Sequence, residues 1–326
     1  MLRIGLIGAG VMGITHSDAY HQVAGARITA VCSRTREKAQ PIMDGWGAAY
    51  YASVDEMLNA ADIDAVDICL PTDLHREAVV KSAAKGKHVL CEKPIAATEA
   101  DAEAMIRACR QAGVTFMVGH VNRFNPEWGM ARSQLLAGRL GTPGTVRTAR
   151  NGSMPGWSTW FHDYGETGTL LDMAIHDFDY LRWCFGPVRR VFSRSAGSGA
   201  ASHSLTMLRF ASGVIGHVEA SWAYPAGTPL MVTLEIAGSG GVLSLDRNQS
   251  HPLVVFGGNT ESPPIANIPL KKNQFVRQLE HFVHCANCGA TPLTSGEEAL
   301  AALRISLAAI ESVRSGKAIV LEEEAG

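Results

Sequence analysis

Leu2-Arg3-Ile4-Gly5-Leu6-Ile7 runs straight into Gly8-Ala9-Gly10-Val11-Met12-Gly13. A short apolar run reads as a strand, and the glycines stand where that strand would turn into a helix. Each glycine has a physical task at this spacing. Gly8 permits the tight turn, Gly10 lets backbone approach a pyrophosphate, and Gly13 lets the helix pack closely on the strand, so that the N–H groups of Val11, Met12 and Gly13 at the helix start face the phosphates. The same pattern also occurs in plain glycine turns, so the sequence that follows decides between the two.

Arg27-Ile28-Thr29-Ala30-Val31-Cys32 follows at the distance that completes a βαβ unit. Residues just past such a second strand meet the adenosine ribose, an acid reading the 2′-hydroxyl and an arginine accommodating a 2′-phosphate. Here they are Ser33 and Arg34. That favours NADP over NAD, the alternative being a solvated loop arginine beside an NAD ribose. Further strands are predicted at Ala65–Leu70, closed by Pro71-Thr72, at His88–Cys91 and at Val114–Val118. Helices are predicted from Leu74 to Lys85, stopped by Gly86, and from Thr98 to Ala112, capped by Thr98 and stopped by Gly113. Strands alternating with helices imply a parallel sheet whose ligand crevice lies beyond the strand C-termini. Gly8 to Gly13, Ser33, Pro71-Thr72, Glu92-Lys93 and Gly119-His120 all fall there.

At 326 residues the chain exceeds what one core usually serves, so two domains are expected. A formal charge of −2 with no basic block argues against a nucleic-acid partner. The apolar stretch from Ile4 to Thr15 is too short to span a bilayer, so no membrane association is expected. Seven cysteines at irregular spacings read as reduced thiols in a cytoplasmic protein rather than a disulfide framework. Beyond about residue 123 the alternation stops. One helix around Trp128 to Ala137 is followed by runs at 145–150, 188–195, 204–210, 213–221 and 230–237, several of them alternating polar with apolar residues, which predicts an α+β domain with a largely antiparallel sheet.

Asp172 and His176 fall in a helical pattern from Gly168 to Trp183, four apart and so on one face. A carboxylate orienting an imidazole suits removal of an alcohol proton; a helix-stabilising pair is the plainer alternative. Lys93, just past a strand, could hydrogen-bond a reacting oxygen, or be a solvated loop lysine paired with Glu92. Trp157, Trp160, Phe161 and His162, with Arg147, Arg150 and Asn151 upstream, would suit a sugar or polyol pocket, or ordinary packing. His281, His284, Cys285 and Cys288 share one helical face, but a single straight helix rarely arranges four ligands tetrahedrally, and no metal site is expected.

Taken together, Gly8–Gly13, Pro71-Thr72-Asp73-Leu74-His75, Gly86–Pro94 with its Glu92-Lys93-Pro94, and Asp172-Met173-Ala174-Ile175-His176-Asp177 resemble the glucose-fructose oxidoreductase/inositol dehydrogenase/rhizopine catabolism (Gfo/Idh/MocA) family. The resemblance implies an α/β chain: an NAD(P)-binding Rossmann domain over 1–122, a doubly wound parallel sheet, and a substrate-binding and oligomerisation domain over 123–326 with an open, largely antiparallel sheet. By motif, Lys93 corresponds to the family's catalytic lysine, Asp172 to its partner acid and His176 to its general acid/base. Val11, Met12, Leu70, Pro71, Thr72, His75 and Glu92 would line NAD or NADP, and Asn122 would approach nicotinamide and substrate, the latter joined by Trp160. Substrates would be sugars, polyols or inositols, and the assembly a homodimer or homotetramer. Two other classes remain: a non-catalytic NAD(P)-binding sensor, and a redox-assisted elimination with a tightly held cofactor. Ser33, where many NAD-preferring relatives carry an acid, and Gly165-Glu166-Thr167-Gly168-Thr169, before the motif acid, depart from the family pattern.

Overall fold

A computed structural model of the chain describes residues 1–156, 160–199, 201–246, 249, 253–257 and 272–321. Its first unit is a six-stranded sheet of β1 (Leu2–Ile7), β2 (Ala26–Cys32), β3 (Ala49–Tyr51), β4 (Ala65–Ile68), β5 (His88–Cys91) and β6 (Phe116–Val118). The strand order is β3-β2-β1-β4-β5-β6, and every pair is parallel. Helices α1 (Val11–Tyr20), α2 (Arg36–Trp46), α3 (Val54–Ala60), α4 (His75–Ala84) and α5 (Glu99–Ala112) connect the strands. The order reverses between β1 and β4, the switch point at which doubly wound sheets bind ligands. All four β4 residues are buried, as expected for a parallel strand covered on both faces, which is why these strands read as apolar runs rather than as alternation. Helix α5 begins and ends where its capping residues predict: the Thr98 hydroxyl accepts the Asp101 N–H, and Gly113 takes a left-handed φ of 65°.

The second unit carries α6 (Pro126–Leu136), β7 (Pro143–Ser153), a 3-10 stretch (Trp160–Thr167), α7 (Gly168–Asp172), α8 (Ile175–Phe185), β8 (Val188–Ser198), β9 (Ala201–Phe210), β10 (Ile215–Tyr224), β11 (Met231–Gly238), β12 (Gly241–Asp246) and β13 (Leu253–Gly257). After these come α9 (Gln274–Cys288), α10 (Gly296–Ser315) and β14 (Ile319–Val320). The eight-stranded sheet has the order β13-β12-β11-β7-β10-β9-β8-β14. Its one parallel pair among the described residues is β7 with β10. In β9 the residues Ser202, Ser204, Thr206, Leu208 and Phe210 are buried, whereas Leu205 and Met207, with Ile215 on β10, are exposed. One face is covered by α7 and α8; among the described residues the other exposes these apolar side chains.

The division between units differs from the expected break at residue 122 in one respect. Lys271–Leu303 groups with Met1–Phe124, not with the second unit. The reason is the apolar face of α9: Val276, Leu279, Phe282 and Val283 share one buried cluster with Leu2, Ile4 and Leu6 of β1. A sheet needing cover on both faces recruits that helix from the far end of the chain.

Gly8 has φ 103°, closed to most side chains, and a Cβ there would lie 2.4 Å from the Cys69 carbonyl oxygen. A Cβ on Gly13 would lie 1.9 Å from the Gly8 carbonyl oxygen, whereas one on Gly10 would meet nothing within 4 Å. In the cofactor-free protein, Gly13→Ala is therefore expected to destabilise the first unit by about 1–3 kcal/mol through backbone displacement. Gly10→Ala should leave the melting temperature within about 2 °C of wild type. Thermal unfolding followed by circular dichroism checks the contrast; equal melting temperatures for the two variants would refute it.

Candidate active site

The open side of Gly10 is the N-terminal end of α1. Gly10 caps the helix without a side-chain hydrogen bond, no acid occupies the first turn, and Val11 is exposed. Helix-start N–H groups without side-chain partners, next to space where a Cβ would touch nothing, fit a dinucleotide pyrophosphate. At the end of β2 lies a cavity of about 260 Å3 lined by Ile7, Cys32, Ser33, Arg34, Leu70 and Leu74 among others. The Ser33 hydroxyl donates to the Thr35 carbonyl at 3.0 Å and accepts its N–H at 3.3 Å, and the Tyr50 hydroxyl donates to the Ser33 carbonyl at 2.8 Å. Arg34 is exposed. Two acids reach the cavity rim, Asp55 and Glu77, and Lys81 pairs with both, at 2.7 and 2.6 Å.

The loops after β4, β5 and β6 complete this end of the sheet. Leu70 is half-buried, Pro71 exposed and Thr72 buried. His75 is buried and bridges two loops: its Nε2 lies 2.8 Å from the Leu70 carbonyl oxygen and its Nδ1 3.0 Å from that of Pro94. Burial pulls its imidazole below the ordinary histidine range. Glu92 is buried, Lys93 half-buried, and the Lys93 backbone N–H donates to Glu92 Oε2 at 3.2 Å. Asn122 is buried in the 3-10 turn Val121–Phe124 that follows β6.

Behind Glu92 stands a cluster that sequence reasoning missed. His16 on α1 is wholly buried, its Nδ1 2.9 Å from Asp67 Oδ2 and its Nε2 3.2 Å from Glu92 Oε1. Cys69 Sγ lies 3.6 Å from His16 Nδ1 and 3.5 Å from Asp67 Oδ1. Burial is the largest single influence and favours the neutral ring, but the charge and hydrogen bond of Asp67 together with the contacts of Cys69 outweigh it and hold His16 well above the ordinary range. Burial would likewise raise Glu92; the contact with charged His16, aided by Lys93, holds it below. The available signal was spacing, since His16 sits three residues after Gly13 on the same face of α1.

In the second unit the expected continuous helix from Gly168 to Trp183 is interrupted. It consists of α7, ending at Asp172, and α8, starting at Ile175. The N–H groups of Met173 and Ala174 both donate to the Thr169 carbonyl, at 3.0 and 2.8 Å. The second of these closes an i to i+5 loop, a local widening that shifts register. The straight-helix argument for Asp172 and His176 therefore does not hold across the break, although both side chains are half-buried. Beside His176, Asp177 is fully buried and receives Arg150 of β7 through two bonds, Nε at 2.8 Å and Nη2 at 3.2 Å. Arg150 thus anchors α8 to β7. Arg147 is exposed and faces Glu235, and Asn151 donates to Glu219. Trp157 and the side chains of Trp160 and Phe161 lie outside the described residues.

Two groups of potential metal donors occur among the described residues. On α9, the pairs His281–Cys285 and His284–Cys288 each lie 3.5 Å apart, and His281 Nε2 accepts the Leu293 N–H. His16, Asp67 and Cys69 are close enough to ligate an ion, and the same separations are those of groups hydrogen-bonded to one another. All seven cysteines are free, and no helix among the described residues is long and apolar enough to cross a membrane.

Residues 2–120 match the family model of oxidoreductases with an NAD-binding Rossmann fold, and residues 128–244 match the GFO/IDH/MocA C-terminal domain. Inositol 2-dehydrogenase of Rhizobium meliloti is 31% identical over 98% of both chains. D-apiose dehydrogenase of Paraburkholderia graminis is 31% identical over 97% of this chain and 89% of its own. The chain belongs to the Gfo/Idh/MocA oxidoreductase family. The crystal structure of aldose-aldose oxidoreductase from Caulobacter crescentus in complex with glycerol is similar throughout, with a TM-score of 0.87, 26% identity, and coverage of 98% of this chain and 99% of that one.

As a Gfo/Idh/MocA chain the protein is an NAD(P)-dependent oxidoreductase with a Rossmann cofactor domain and a second, mostly antiparallel domain. The buried Arg150–Asp177 pair is what fixes α8, and so the motif histidine, to the sheet of that second domain. Arg150→Ala strands the Asp177 carboxylate without its cation and is expected to cost about 3–5 kcal/mol. Urea unfolding checks this; a loss below about 1 kcal/mol, the value of a surface pair, would refute it.

Proposed function

We propose that the protein is a dehydrogenase that oxidises a secondary hydroxyl of an inositol, polyol or sugar, with NADP favoured over NAD. The observation that carries the reading is Lys93, at the C-terminal end of β5 beside the switch point, in a chain whose relatives include an inositol 2-dehydrogenase and a D-apiose dehydrogenase. Bound nicotinamide supplies the hydride acceptor. His176 takes the hydroxyl proton, with Asp172 as the acid that orients its ring. Lys93 hydrogen-bonds the same oxygen and steadies the charge that builds on it as the C–H bond breaks and the C=O bond forms. Run in reverse, the same groups reduce a ketone. Asn122 and Trp160 are the further substrate contacts of this reading, and Gly8, Gly10, Val11, Met12, Gly13, Leu70, Pro71 and Thr72 are its cofactor contacts. His75 and Glu92 support that cofactor surface from behind, since both are buried. The sheet face that exposes Leu205, Met207 and Ile215 supports assembly as a homodimer or homotetramer.

Turnover is read from reduced-nicotinamide absorbance with NAD+ and with NADP+ against inositols, aldoses and sugar acids. Lys93→Ala is expected to lower kcat by about a hundred- to ten-thousand-fold, with cofactor affinity changed less than about threefold. Undiminished turnover in that variant would overturn the assignment of Lys93.

The preference for NADP rests on Ser33 and Arg34 at the end of β2. Ser33→Asp places an acid at the ribose-reading position and is expected to move the kcat/KM ratio toward NAD by at least about tenfold. An unchanged ratio would remove these residues from cofactor discrimination.

A further inference from the structure

His16 has no part in the reaction as described, yet it is wholly buried between two carboxylates, Asp67 and Glu92. Enclosing three ionisable groups is costly unless each satisfies another. The distances form a chain. Asp67 Oδ2 accepts from His16 Nδ1 at 2.9 Å; His16 Nε2 stands 3.2 Å from Glu92 Oε1; Glu92 Oε2 accepts the Lys93 backbone N–H at 3.2 Å. Gly119, just past β6, closes the far side. A Cβ there would lie 2.6 Å from Glu92 Oε1, so the carboxylate occupies a slot that only glycine leaves open.

We propose that His16, braced by Asp67, is a positioning residue for Lys93: it fixes the Glu92 carboxylate, and through it the backbone from which the lysine side chain springs. The proposal rests on the reading of Lys93 given above. It also joins two parts of the site, because His16 lies one turn along α1 from Gly13, whose contact with Gly8 sets the phosphate-binding turn. The groups that face His16 are Asp67 and Cys69 from β4 and its following residue, Glu92 from the end of β5 and the Phe275 ring from α9 at 5.8 Å, with Tyr20 of α1 beside Asp67 and Cys69. Among them Asp67 and Glu92 bear the charge that His16 offsets; the Cys69 thiol and Tyr20 hydroxyl are held neutral by burial. Removing the imidazole leaves two carboxylates facing one buried site, one of which must take a proton or move. Either response alters the electrostatic field and the backbone at Lys93.

The test compares wild type, His16→Gln, Lys93→Ala and the double variant, each first shown to be folded by thermal melting and to bind NADPH or NADH, whichever the wild type prefers, by fluorescence titration. His16→Gln is expected to lower kcat by about ten- to a hundred-fold when Lys93 is present and by less than about twofold when it is Ala, with cofactor affinity within about threefold. Competitive acetylation of the cofactor-free enzyme, read by mass spectrometry of the Lys93 peptide, should show the lysine titrating at least about half a pH unit from its wild-type position in His16→Gln. Equal losses in both backgrounds, or an unmoved Lys93 titration, would overturn the proposal and leave His16 a packing residue. Full turnover in Lys93→Ala would instead sink the assigned reaction, and the acetylation arm would still decide the positioning claim. If His16→Gln does not fold, Gly119→Ala presses the same carboxylate from the opposite side with no change of charge, and the same two readouts apply.

Discussion

The contact between Gly13 and the Gly8 carbonyl is the constraint from which the site descends. With no Cβ at residue 13, α1 starts against β1 at a separation that any side chain would widen. Everything hung on α1 inherits that placement: the open N-terminal turn at Gly10 and, one turn further, His16 between Asp67 and Glu92. A helix displaced by even an ångström would separate His16 Nε2 from Glu92 Oε1, and the buried charges would lose the pairing that makes their burial tolerable. Glycine here sets side-chain electrostatics through backbone sterics.

Both units use buried ionic contacts at the elements nearest the proposed chemistry. In the first, His16 is shared by two acids at the C-terminal ends of β4 and β5; in the second, Arg150 clamps Asp177 next to His176. Such pairs are not an efficient source of net stability, since desolvation offsets most of the attraction. What they do provide is geometric uniqueness. A hydrophobic substitute could fill the same volume, but it would tolerate sliding, whereas a bidentate guanidinium–carboxylate pair fixes both distance and angle. Beside Lys93 and His176 that specificity falls where the proposed reaction needs its groups held in register.

The parts of this design that were legible in the sequence are those governed by local backbone rules. The turn Gly8–Gly13, the Thr98 cap and the Gly113 stop each follow from what a single residue type allows its own backbone, and spacing alone reveals them. The break at Met173-Ala174 was not legible, because helical periodicity runs straight through it and only the doubled acceptance by the Thr169 carbonyl marks it. Nor was the return of α9 to the first sheet, a contact between residues some 270 positions apart in sequence order. His16 fell between the two kinds. Its spacing from Gly13 was visible, but its partners come from β4 and the end of β5, and nothing local says that they converge. Arg150 stayed open between pocket and packing for the same reason: its buried acid comes from another element.

His75 shows how far the first unit is braced before any ligand arrives. Both of its ring nitrogens face carbonyl oxygens, Leu70 on one loop and Pro94 on another. Burial favours the neutral ring, which has one N–H to donate, and the ring spans both loops whichever carbonyl receives it. Either assignment fixes the same separation between the loop after β4 and the loop that carries Lys93. The carboxylate of Glu92 ties that second loop to α1 through His16, and Gly119 brings the turn after β6 against the same carboxylate. Three strand ends and helix α1 are thereby joined by short polar contacts and close packing. The outline of this end of the sheet is thus set by groups already held to one another, which lowers the ordering cost that ligand binding would otherwise carry.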